Sequence, residues 1–83
     1  MQNGSKAMAL DVLNDISLLY RISVITEDER TYLVRLARNM MSYNEKRYIG
    51  MIREQLEKVV AKFHQGTFEH DQILNTITKL GGK

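Results

Sequence analysis

The sequence predicts an all-α chain folded as an antiparallel, up-down four-helix bundle. Apolar residues recur at helical spacing in four segments, and polar capping residues head several of them. The joining segments are short, which sets consecutive helices antiparallel. At 83 residues the chain is long enough for one domain. The expected division is a disordered N-terminal arm over residues 1–5 and a single bundle over residues 6–83.

Ser5 reads as the N-cap of a first helix running to about Tyr20, with Ala9, Val12, Leu13, Ile16, Leu19 and Tyr20 on its apolar face. The β-branched stretch "RISVI" breaks that periodicity and reads as a connector tucking Val24 and Ile25 toward the core. Thr26 then opens "TEDE", a capping box with Glu29, and Glu27 and Asp28 suit the positive end of the helix dipole. The second helix is expected to reach about Met41, burying Leu33, Leu36, Ala37, Met40 and Met41.

Asn44 and Glu45 open a third segment whose apolar residues, Ile49, Ile52, Leu56, Val59 and Phe63, follow a 3-4-3-4 spacing. It reads as one helix of about 20 residues, roughly 30 Å long, ending at Gly66 as a C′ glycine. Thr67 is the expected cap of a fourth helix burying Phe68, Ile73, Leu74, Ile77 and Leu80 before "GGK". The four tyrosines, Tyr20, Tyr32, Tyr43 and Tyr48, are expected half-buried at helix rims.

With no cysteine, the chain has neither a disulfide nor a thiolate site, and stability must come from apolar packing. The net charge is only +2, but its distribution is uneven. Eight basic residues and three acids lie between Arg30 and Lys62, so the middle helices are positive. Such a surface attracts phosphates or anionic lipid head groups. No apolar run approaches the roughly 20 residues of a membrane span, and "MQNGSKAMAL" lacks a signal-peptide layout. The expected setting is the cytoplasm, with peripheral contact at the inner face of the membrane.

The third segment decides between a core helix and a basic nucleic-acid or membrane helix. Its 3.5-residue seam is that of a bundle, and Glu54 with Lys58 forms a favourable i,i+4 pair amid mixed charge. A DNA-reading helix would need base-reading residues at its start, for which Asn44, Lys46 and Arg47 are available. Its length and heptad pattern favour the core reading, so nucleic acid is not the expected partner.

His64 and His70 flank "QGTFE" without a recognised metal spacing and read as surface histidines. The acids at Glu27–Glu29 are explained by the helix start. No catalytic constellation or phosphate loop stands out. The expectation is a non-enzyme without cofactor or metal.

The order of features resembles the immunity proteins for pediocin-like bacteriocins, the enterocin A immunity type. The resemblance runs from "LDVLNDISLL" through the acidic helix start and "ERTYLVRLARNM" to the Asn44–Glu45 step. It continues over "YIGMIREQLEKVVAKF" and "ILNTITKL" to Gly81–Gly82, covering about residues 8 to 82. Gly50 inside the third helix and the long connector "RISVITE" depart from the pattern.

The resemblance implies a cytosolic four-helix bundle that protects a producing cell from its own peptide toxin. The implied partner is the membrane part of the mannose phosphotransferase system with bacteriocin bound; the basic excess on the second and third helices makes an anionic membrane surface a further expected partner. Because the family uses its last helix and C-terminal tail to choose a toxin, the expected contact surface is the end of the third helix and the fourth helix, with Phe68, His70, Gln72, Asn75, Lys79 and Lys83. The alternative function is a small helical transcriptional regulator or protein-binding adaptor.

Overall fold

A computed structural model describes residues 3–42 and 44–81, with side chains from Lys6 onward. Four helices follow one another, α1 (Asn3–Arg21), α2 (Glu27–Ser42), α3 (Glu45–Val60) and α4 (Phe68–Lys79), and no strand occurs among the described residues. Each helix packs on its neighbour in the chain, and α4 closes the bundle against α1. Ion pairs fix the directions at two points. Lys62, just past α3, meets Glu29 at the start of α2, and Lys79 at the end of α4 meets Asp11 and Asp15 in the middle of α1.

The boundaries follow from local chemistry. At α2, the Thr26 N–H donates to Glu29 Oε1 at 2.8 Å and the Glu29 N–H returns a bond to Thr26 Oγ1 at 3.1 Å, completing the capping box. Asn44 Oδ1 accepts from the Arg47 N–H at 3.2 Å, and Thr67 Oγ1 accepts from the His70 N–H at 3.2 Å, so α3 and α4 start as expected. At α1 the structure differs. Asn3–Ser5 fall within the helix, although the sequence placed them in a loose arm with Ser5 at the helix start. First-turn N–H groups need no intrahelical partner, so weak helix formers are tolerated there. Met1 and Gln2 lie outside the described residues.

α1 ends in a motif that its sequence does not advertise. The Val24 N–H reaches back to the Leu19 carbonyl at 2.9 Å and the Ser23 N–H to that of Tyr20 at 3.0 Å. Ser23 sits between them at φ 65°. These are the two bonds of a Schellman cap, with serine at the position glycine usually takes. Val24 and Leu19, the apolar pair of such a cap, are both buried, and Ile25 follows Val24 into the core.

α3 is shorter than its seam implied. It stops at Val60, after 16 residues and about 24 Å. The Lys62 and Phe63 N–H groups then bond to carbonyls three residues back, Val59 and Val60, a tightened turn rather than more α-helix. A side chain three or four residues on still faces inward either way, so Phe63 keeps to the seam without being helical. Gly66 is not the C′ residue of α3. It occupies the third place of a turn closed by the Thr67 N–H on the His64 carbonyl, at φ 86°, a conformation that costs glycine least.

The core joins Ala9, Val12, Ile16 and Leu19 of α1 to Leu33, Leu36, Ala37 and Met40 of α2. Ile52, Leu56 and Val59 of α3 and Ile73, Ile77 and the capping Leu80 complete it. Four residues expected there are exposed instead, namely Tyr20, Met41, Leu74 and Phe68. Tyr20, Met41 and Leu74 each follow a buried residue. One step along a helix turns the side chain about 100°, so only one of an adjacent pair can face the core. Phe68, 59% exposed, begins α4 beyond the end of the packed layer. Tyr48 is half-buried, Tyr32 is exposed, and Tyr43 lies outside the described residues.

Candidate functional site

α4 is the shortest helix and packs more lightly on α1 than on α3. A cleft of about 300 Å³ remains between α1 and α4, lined by Asp15 and Leu18 on one side and Gln72, Asn75, Thr76 and Lys79 on the other. Of the residues the sequence nominated, Gln72, Asn75 and Lys79 come together on this cleft. Their i, i+3, i+7 spacing puts them on one helical stripe. Phe68 stands exposed at the opposite end of α4 from Lys79, and His70 is half-buried two residues before Gln72, about 200° round the helix from it. Lys83 lies outside the described residues.

Polar chemistry in the cleft centres on Asp15. The Lys79 ammonium lies 3.0 Å from Asp15 Oδ2 and 3.4 Å from Asp11 Oδ2. The hydrogen bond to Asp15 raises the Lys79 pKa from its ordinary value; partial burial opposes the rise, and the charges of Asp15 and Asp11 add to it. Lys79 therefore helps hold α4 on α1, and a partner reaching for it must compete with two carboxylates. Asn75 is exposed and makes no such bond, so it is freer to meet a partner.

Asp15 and Thr76 were missed from sequence. Thr76 falls in phase with the buried Ile73, Ile77 and Leu80, a slot where a hydroxyl must find an acceptor. That mismatch between residue type and helical phase was the available signal.

Two other features bear on chemistry. No three His, Cys, Asp or Glu side chains gather as a metal-binding group among the described residues. No helix among them is long and apolar enough to cross a membrane. No family model, curated protein or solved structure matches the chain.

Proposed function

We propose that this chain is a binding module rather than an enzyme, an immunity protein that shields its cell from a pediocin-like peptide toxin. It acts at the inner face of the membrane, on the toxin together with its mannose-phosphotransferase receptor. The observation that carries the reading is the order of four helices among the described residues, the last three headed by side-chain caps. Starts at Thr26, Asn44 and Thr67 divide the chain into four helices, the division that the resemblance to the enterocin A immunity type implies.

A lightly packed last helix supports the same reading, because it offers Phe68, Gln72 and Asn75 to a partner without dismantling the core. The contact surface is α4 with the turn before it, through Phe68, His70, Gln72, Asn75, Lys79 and Lys83. Phe68 is its apolar anchor, since a large exposed ring beside polar residues is what a partner pocket can use.

The test is protection. The chain is expressed in a sensitive host, and a panel of pediocin-like bacteriocins is titrated against an empty-vector control. Resistance to one or a few toxins is expected, and Phe68→Ala with Asn75→Ala should abolish it while leaving the thermal melt unchanged. Uniform sensitivity, with the protein folded and abundant, would overturn the reading in favour of a helical regulator or adaptor.

A further inference from the structure

The outer face of α2 carries Arg30, Arg35 and Arg38 with Val34 and Asn39 along a shallow groove of about 370 Å³. At about 100° per residue, Arg35 and Arg38 lie about 60° apart on the exposed side and Arg30 at its edge, a broad stripe about 12 Å long. No carboxylate lines the groove. Among the described residues, none of the three arginines has a carboxylate oxygen within 4.0 Å, whereas Lys62 has one carboxylate partner and Lys79 has two. Arg35 and Arg38, three apart on a helix, repel each other, and an anion between them relieves that repulsion.

Arg30 is placed differently. Its guanidinium carbon lies 4.6 Å from the centre of the Tyr20 ring, and its Nε is shielded from solvent without an acceptor. Tyr32, exposed and three residues before Arg35, flanks the stripe from the other side.

We propose that this face of α2 docks on the phosphate headgroups of an anionic membrane leaflet. The guanidinium fork matches phosphate oxygens, and arginines interleaved with half-exposed tyrosines suit the zone between headgroups and acyl chains. A duplex held by only three phosphate contacts would bind weakly and be lost early as salt rises. A leaflet instead offers each arginine its own headgroup. The surface deepens the proposed function by supplying the means by which the bundle reaches the membrane. Its test contains no toxin, so the two readings can fail separately.

The full chain is sedimented with vesicles of phosphatidylcholine alone or mixed with phosphatidylglycerol, across a salt series. Binding to the anionic vesicles alone, weakening with salt, is expected. Arg35→Gln with Arg38→Gln spares the Tyr20 contact and should lower partitioning roughly 30-fold, and adding Arg30→Gln roughly 100-fold. Removing three exposed charges from α3 (Lys46→Gln, Arg47→Gln, Lys58→Gln) should lower it much less. An equal loss in that control overturns the site, as does equal binding to both vesicles or to neither. Displacement by inorganic phosphate beyond that by chloride at matched ionic strength would make the groove a soluble-phosphate site. Tighter binding to duplex DNA than to the vesicles would replace the leaflet with a nucleic acid.

Discussion

The Thr76 hydroxyl donates to Asp15 Oδ2 at 2.9 Å, joining α4 to α1 across 61 residues of chain. Thr76 is only 1% exposed, so the bond lies at the core edge of the cleft, where a lost partner is not replaced freely by water. Thr76→Val keeps the shape and removes the donor, at an expected cost of about 1 kcal/mol. A urea-denaturation cycle with Asp15→Ala should give a coupling of about 0.5–1.5 kcal/mol. Strict additivity would mean that the bond contributes nothing.

Lys79 makes the same junction sensitive to alkali. Its folded pKa is raised, first by the hydrogen bond to Asp15, against partial burial and with help from the charges of Asp15 and Asp11. The contribution is therefore complete below the ordinary lysine value and fades as pH climbs through the higher folded one. Stability should fall above about pH 10.5, less steeply in Lys79→Met, as followed by chemical denaturation across that range. Equal slopes for the two proteins would remove Lys79 from the account.

The capping box of α2 should show the opposite dependence. Burial discourages ionisation of Glu29, but the Thr26 N–H, the Lys62 ammonium and the Thr26 hydroxyl outweigh it and lower the pKa. A depressed carboxyl contributes above its unfolded value and loses that contribution as pH drops through the folded one. Thermal melts should decline below about pH 4.5, and Glu29→Gln, which keeps a reciprocal cap, should flatten the decline. Thr26→Ala should cost about 1 kcal/mol at neutral pH. Lys62→Ala should cost little, because that ammonium is largely exposed.

At the end of α1, Ser23→Gly is expected to stabilise the fold. Serine at φ 65° carries a left-handed penalty of about 1–2 kcal/mol, partly offset because glycine adds freedom to the unfolded chain. The net gain should be about 0.5–1 kcal/mol, read from the denaturation midpoint. A loss would mean that the serine side chain contributes more than its backbone costs.

Gly50→Ala should also stabilise, for a different reason. Gly50 lies inside α3, and a methyl group built on it meets no atom within 4 Å. Alanine there should gain up to about 1 kcal/mol from helix propensity alone. Destabilisation would point to a close approach at this face that the bundle by itself does not contain.

What the sequence by itself determined is local. The caps at Thr26, Asn44 and Thr67 are legible because each needs one oxygen-bearing side chain at a set distance from the N–H groups it satisfies. The seam through Ile52, Leu56 and Val59 is legible because helical periodicity and burial coincide. The tertiary structure alone decided where periodicity ceases to mean helix. Phe63 holds its inward place in a tightened turn, and Ser23 closes α1 where glycine would be expected. Packing also selected Leu19, Met40 and Ile73 over the adjacent Tyr20, Met41 and Leu74, because a helix presents only one arc to its neighbours. The α1–α4 cleft belongs to the same class. Asp15 and Thr76 become partners only when two distant helices are laid side by side, and the α2 arginines count as unpaired only once every carboxylate has taken its place.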